Sequence, residues 1–363
     1  MEKIGKLKDL MLKHGLDGYI IPKNDEFFTE YVPNSKDKLN FISNFSGSYG
    51  FAVILKKKNY LFVDGRYTLQ AKAESGKKFE IVTIPNKYPY QVLKIRNFRI
   101  GFNPKIHTSK TIKTIFDKSK CHLVSVKQDL IDKVWNQTTK EIKKKFFVLP
   151  KSAISEDYKF KIKKLIKNLI KKKIDLQLVT SSENIAWLLN IRGHDSEFTP
   201  LPQSYICFDK YKNINFFCDL KKIDKSFKRK FKDIKFIDIR TVDNFLFRIT
   251  NKKISIDSTT CSIYFENILK KKNKIVETLD PTYYLKSIKS KIEIKNTIQS
   301  HIHDGVALTK FLFWVKKNYK KKKLSEISAQ NKLLMFRKKN KSFKFLSFPT
   351  ISGSGPNGAI IHY

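Results

Sequence analysis

The sequence predicts a mixed α/β (α+β) protein made of two tandem copies of one domain and the beginning of a different third one. Three observations carry this. Residues 1–150 alternate short apolar strand patterns with amphipathic helix patterns. Residues 151–285 run through the same patterns in the same order, the mark of an internal duplication. From about Pro281 the pattern changes to long helical stripes and a glycine-rich tail, so residues 286–363 form a third region. With 41% hydrophobic residues, including 29 Phe and 15 Tyr, the 363-residue chain has apolar surface enough for several cores.

In the first copy an amphipathic opening (Ile4, Leu7, Leu10, Met11) leads to a strand at Gly18 to Ile21 that Pro22 closes. A helix is expected around Glu26 to Tyr31, followed by NFISNFSGSYG at Asn40 to Gly50. Two strands, Phe51 to Leu55 and Tyr60 to Val63, flank a lysine turn as a hairpin and run into Asp64-Gly65-Arg66-Tyr67. Next come a short helix at Thr68 to Glu74, a strand at Phe79 to Ile84, a helix near Tyr88 to Asn97 and a strand entering Gly101-Phe102-Asn103-Pro104.

In the second copy the helix Tyr158 to Lys173 carries Phe160, Ile162, Leu165, Ile166, Leu169 and Ile170 at near-helical spacing under a lysine-rich outer face. That face reads as solvated rather than as a surface for a membrane or an acidic partner. Asp175 to Val179 matches Asp17 to Ile21, and Asn190-Ile191-Arg192-Gly193 matches Asn44-Phe45-Ser46-Gly47. The hairpin Ser204 to Phe208 and Ile214 to Leu220 matches Phe51 to Val63. Ile234 to Ile239 matches Phe79 to Ile84, and Ile254 to Asp257 matches Ile100 to Asn103.

In the third region Ile294, Ile298, Ile302, Leu308, Phe311, Leu312 and Val315 mark a long helix from Ser290 to Tyr319. A second helix starts at an N-cap, Ser325, with Leu324 and Ala329 placed as a hydrophobic staple. The tail FKFLSFPTISGSGPNGAIIHY then reads as a buried strand (Phe345 to Ile351), a glycine turn and a second strand (Ala359 to Ile361) that ends in His362 and Tyr363. Two helices and two strands do not enclose a core, so this domain is read as incomplete.

The formal net charge is +41, yet only eight of the 74 basic residues are arginine. Base and phosphate readers favour the bidentate arginine fork, so no specific nucleic-acid partner is expected. The lysines read as solvated faces. The four cysteines, Cys121, Cys207, Cys218 and Cys261, show no metal-ligand spacing and read as buried free thiols, with a Cys207–Cys218 pairing across the hairpin as the alternative. A charged N-terminus and the lack of an 18-residue apolar run leave a cytoplasmic protein with no membrane partner as the expectation. No HExxH, GxSxG or Walker motif is present, and Gly353-Ser354-Gly355 is followed by no helix that would receive a phosphate.

The segments FISNFSGSYG with VDGRYTLQA, NIAWLLNIRGHD followed by SYI, HIHDGVALTKFLFW and SFPTISGSGPNGAIIHY resemble aminopeptidase P. These are the Xaa-Pro aminopeptidases of the creatinase and methionine-aminopeptidase superfamily. The likeness is to the long three-domain form and covers essentially the whole chain. It implies two creatinase-like N-terminal domains and a pita-bread catalytic domain that holds two divalent metal ions, usually manganese. Such an enzyme takes peptide substrates with proline in second position and releases the residue before it. The N-terminal domains shape substrate access and contribute to a homodimer.

His362 stands where the family has an active-site histidine that contacts substrate and helps stabilise the transition state. The family's metal ligands, two aspartates, a histidine and two glutamates, follow that position and have no counterparts here. The sequence therefore assigns no metal ligand, and the chain by itself is expected to be an inactive fragment. Its alternative is a non-catalytic binding or dimerisation module. Arg66 is the other candidate substrate contact, and a salt bridge to Asp64 or Glu74 accounts for it equally well. Arg192 and Asp195 read as a turn-stabilising pair that could instead line the peptide's approach. His301 and His303, two apart on a helix, make a poor metal pair, and Asp304 reads as an ordinary helical polar residue.

Overall fold

The computed structural model describes residues 2–93, 96–116, 118–135, 144–320 and 323–360. They fall into two compact units. The first comprises Met1–Val148 and Asp157–Lys286, the second Leu149–Glu156 and Ser287–Tyr363.

The first unit holds two six-stranded sheets. The strands of the first sheet are β1 (Gly18–Pro22), β2 (Phe51–Leu55), β3 (Asn59–Asp64), β4 (Glu80–Ile84), β5 (Arg96–Phe102) and β6 (Lys120–Ser125). Next come β7 (Phe147–Val148), β8 (Leu176–Val179), β9 (Ile191–Arg192), β10 (Ser204–Asp209), β11 (Ile214–Cys218), β12 (Ile234–Asp238), β13 (Lys253–Ile256) and β14 (Lys274–Glu277). The two sheet orders are β4-β3-β2-β1-β5-β6 and β12-β11-β10-β8-β13-β14, while β7 and β9 form a separate two-stranded ladder. Each large sheet has the same sequence of parallel and antiparallel neighbours, so β8, β10, β11, β12, β13 and β14 repeat β1 to β6 one for one.

The repeat extends to single contacts. Asp17 N–H donates to the Arg99 carbonyl (2.8 Å) and Asp175 N–H to that of Lys253 (2.9 Å). In return the Asp17 carboxylate accepts from Arg99 N–H (2.9 Å) and Lys56 Nζ (2.6 Å). The Asp175 carboxylate accepts from Lys253 N–H (2.9 Å) and Lys210 Nζ (2.8 Å). Asn44 and Asn190 both end a short helix in the left-handed region, at φ 66° and 56°.

Strands buried on both faces read as continuous apolar runs because helices cover both sides. Tyr19 and Ile21 of β1 face one core and Ile20 the other. Likewise Ile206 and Phe208 of β10 face one core of the second sheet, Tyr205 and Cys207 the other. The copies exchange residues where they meet. Phe27 enters a core of the second copy, stacked on Tyr205 at 5.1 Å, and Ile263 enters a core of the first. Thr108 and Ser262, at equivalent positions after β5 and β13, face each other across an antiparallel bridge.

Several expectations are corrected. No helix forms at Glu26 to Tyr31. The buried Asp25 carboxylate instead accepts from Phe27 N–H, Thr29 N–H and Thr29 Oγ1, with Phe28 at φ 54°, and this local network outcompetes helical bonding. Helix near Tyr88 is limited to Pro89–Val92, because β5 already begins at Arg96. Cys207 lies opposite Asn215 and Cys218 opposite Ser204, so the two thiols sit in different cores and are free, as is Cys261.

In the second unit Ser290 caps a helix at Lys291–Asn318, its Oγ accepting from Glu293 N–H while Glu293 accepts from Ser290 N–H. Ser325 caps the helix Glu326–Lys338 in the same way with Ser328. The expected stripe is largely solvent-facing: Ile294, Ile298, Ile302 and Leu312 are all exposed, and among the described residues of this unit only Ala307 and Leu333 are buried hydrophobics. Among its described residues the tail forms no strand. Phe345, Phe348 and Ile351 are exposed, and Gly355–Ala359 is a 3₁₀ turn. A strand needs a neighbouring strand for its backbone groups, and both large sheets lie in the other unit. The Glu326 carboxylate takes up the tail instead, accepting from Ser354 N–H (2.6 Å) and Asn357 Nδ2 (3.1 Å).

Candidate functional site

Two motifs distant in sequence meet at one edge of the first copy. The helix Lys38–Ser43 ends at the left-handed Asn44, which turns Phe45 into the core, edge-on to Tyr67 at 5.7 Å. Tyr67 lies just beyond β3, and its hydroxyl shares a 2.6 Å hydrogen bond with Ser48 Oγ. Ser46 N–H and Oγ both donate to Glu74, each at 2.8 Å. FISNFSGSYG and VDGRYTLQA thus form one knot, and Arg66 emerges from it.

Asp64 holds Arg66 in place. Its carboxylate accepts from Arg66 N–H (2.9 Å), Nε (3.1 Å) and Nη2 (2.7 Å). The guanidinium lies 5.1 Å from the Tyr67 ring centre, and the Asp64 bond holds its pKa above the ordinary arginine range. Glu74 is engaged by Ser46, which settles the open choice of salt-bridge partner in favour of Asp64. Part of the side chain stays solvent-exposed, so an oriented cation faces outward from a fixed support.

Arg192 and Asp195 do not pair with each other. Arg192 Nη1 donates to the carbonyls of Ala186 (3.2 Å) and Ile191 (2.9 Å), and burial lowers its pKa. Asp195, fully buried, accepts from Gln203 N–H (2.8 Å) and Lys222 Nζ (2.5 Å). Both side chains are occupied in tying down their own loop, and the sequence misled because two charges three apart look like partners. His301 Nδ1 bonds the Thr297 carbonyl and His303 Nε2 meets Gln299, so the histidines diverge. Asp304 is bridged by Arg337 of the following helix at 2.6 Å.

His362 lies outside the described residues. Among the described residues no group of three or more His, Cys, Asp or Glu side chains could hold a metal ion, so no ion of a two-metal centre is placed on them. Among the described residues no helix is long and apolar enough to cross a membrane. Sequence reasoning passed over one group entirely. His107 is buried after β5 and carried no motif to mark it.

Residues 3–134 and 137–293 each match a family model described as a creatinase/prolidase N-terminal domain. Two such domains in tandem, joined to a further helical region, define the class of protein. Through these two domains, which together span most of its length, the chain belongs to the creatinase/prolidase family, and along its whole length it is similar to proteins described as Xaa-Pro aminopeptidase P. A probable Xaa-Pro aminopeptidase P of Laccaria bicolor is 31% identical over 383 residues, covering 100% of this chain and 59% of that protein. One of Paracoccidioides brasiliensis (strain Pb03) is 30% identical, again over 100% of this chain and 63% of the relative. The solved X-prolyl aminopeptidase of Caenorhabditis elegans, described as a cytosolic enzyme with a di-nuclear active site, superposes with a TM-score of 0.92 at 25% identity. It matches 100% of this chain, which covers 63% of that one. The chain thus spans about three fifths of the length of these relatives.

Proposed function

We propose that this chain is the N-terminal portion of a cytosolic, metal-dependent Xaa-Pro aminopeptidase. The enzyme releases the first residue of peptides whose second residue is proline. The observation that carries this reading is the likeness along the entire chain, at a TM-score of 0.92, to an X-prolyl aminopeptidase with a di-nuclear site. In this reading the two duplicated domains shape access to the catalytic domain and contribute to a homodimer. Arg66, clamped by Asp64, presents the solvent-exposed part of its side chain to a carboxylate or backbone carbonyl of the peptide. His362 contacts substrate near the scissile bond. Two divalent ions, manganese by family habit, supply the nucleophile and polarise the carbonyl when bound. The described residues offer them no ligand set, so no catalytic step is assigned to those residues and the 363-residue chain is proposed to be inactive alone.

The test is hydrolysis of a short Xaa-Pro peptide with added manganese, by the 363-residue chain and by a protein of the relatives' full length. The long form is expected to turn over and to stop with a chelator, the short form to do neither. In the long form Arg66→Ala is expected to raise KM several-fold with kcat less affected, the signature of lost uniform binding. Turnover by the short chain would sink the inactivity proposal. A second reading, a binding or dimerisation module, is favoured by one feature: the first unit closes cores on both faces of both sheets by itself. The two measurements together separate the readings: turnover by the long form supports the enzyme, whereas a stable dimer of the short chain in sedimentation equilibrium, with no turnover by the long form, supports the module.

A further inference from the structure

The first sheet has a topological switch point. After β1 the chain passes to the helix Lys38–Ser43, which packs on one face, and after β5 to the helix Ser109–Phe116, which packs on the other. The loops that leave these parallel neighbours therefore part at their carboxyl ends, where α/β sheets form ligand crevices. A cavity of about 400 Å³ lies there. Its floor is apolar, from Ile20, Phe51 and Ile115, and its mouth is polar, with Thr111 and Thr114 on the solvent-exposed side of the second helix.

His107 lines this cavity and is 1% exposed. Its Nδ1 lies 2.8 Å from the Asn103 carbonyl. A carbonyl only accepts, so Nδ1 carries the proton and Nε2 is left as a bare acceptor. Among the described residues Nε2 has no hydrogen-bond partner. Burial pushes the imidazole down to about 4, so the ring stays neutral near pH 7. An unanswered buried acceptor is unfavourable unless something donates to it. The equivalent position of the second copy is Cys261, packed inside an apolar core. The acceptor is thus peculiar to the first copy.

We propose that this crevice binds a small ring compound of phenol or indole size that carries one O–H or N–H donor, which it gives to His107 Nε2. The apolar floor holds the ring, and the threonines at the mouth accommodate any polar substituent.

Phenol, indole and benzene, titrated into the 363-residue protein labelled with ¹⁵N-histidine, test this. Phenol and indole are expected to shift the His107 Nε2 resonance saturably, with phenol binding about tenfold more tightly than benzene. His107→Phe, which keeps a ring but has no acceptor, is expected to abolish that preference. Thr114→Trp, at an exposed helical position that leaves the Asn103–His107 bond intact, is expected to close the mouth and remove saturable binding. It decides the matter should His107→Phe fail to fold. Equal affinity for phenol and benzene, undiminished phenol binding in the folded Thr114→Trp protein, or no saturable shift would each overturn the proposal.

Discussion

A methyl group on Gly47 would sit 2.3 Å from Phe45 Cζ and 2.8 Å from Tyr67 Cδ1. Both rings are pinned, Phe45 by the core and Tyr67 by its bond to Ser48, so neither can give way cheaply. Gly5, by contrast, has nothing within 4 Å of an added Cβ and lies inside the opening helix Glu2–Lys13. The same substitution should therefore act with opposite sign at the two sites. Gly47→Ala is expected to destabilise by about 1–3 kcal/mol, through overpacking. Gly5→Ala should stabilise by roughly 0.5–1 kcal/mol, through helix propensity. Urea unfolding of the two variants beside the parent chain measures both. At this scale the sequence was half legible. A glycine between two serines signalled a turn, but only coordinates show that Phe45 and Tyr67 fill the space a side chain would need.

Elements of the two copies are stapled by the same contact in different surroundings. Lys3 Nζ donates to the Phe41 carbonyl (3.1 Å) and lies 4.6 Å from the Phe41 ring centre. Lys161, at the matching position of the helix Tyr158–Lys171, donates to the carbonyl of Trp187 (2.7 Å) and lies 4.0 Å from its ring. Lys3 is exposed, whereas Lys161 is 4% exposed and also donates to Asn190 Oδ1 at 2.6 Å. Methionine in place of Lys161 keeps the stem but strips a donor from two buried acceptors, a loss of about 1–3 kcal/mol. Lys3→Met should change stability by less than about 1 kcal/mol, since water replaces the ammonium there. Thermal unfolding of both variants distinguishes the two environments. The sequence read Lys161 as one more lysine of a solvated face. It also passed over β6 and β14, edge strands with mostly exposed side chains and little apolar alternation. The central strands were legible because continuous Phe, Ile and Val runs between turn residues leave few alternatives. The tail shows the same rule failing: Phe345 to Ile351 has strand composition, yet among the described residues no strand of its own unit lies beside it.

Across the whole molecule stability is unevenly distributed. The first unit buries large side chains such as Tyr19, Phe62, Phe208 and Phe217 almost completely, while the second exposes most of the apolar residues of its long helix. Local opening free energies follow buried contacts, so hydrogen exchange by mass spectrometry should find the amides of Lys291–Asn318 exchanging well before those of β1, β2 and β10. Equal protection of both sets would contradict this distribution of packing. The sequence disclosed the duplication because order survives when individual residues drift. It did not disclose how the copies meet, since Thr108 and Ser262 carry no motif. Yet that bridge sets one position opposite its own counterpart, as the axis of a symmetric dimer does. The first unit is therefore a dimer made of one chain. Its two halves are held at a fixed effective concentration that dilution cannot lower, and each has been free to diverge without changing the other. That freedom is what allows a histidine at 107 and a cysteine at 261, a difference no true homodimer can encode.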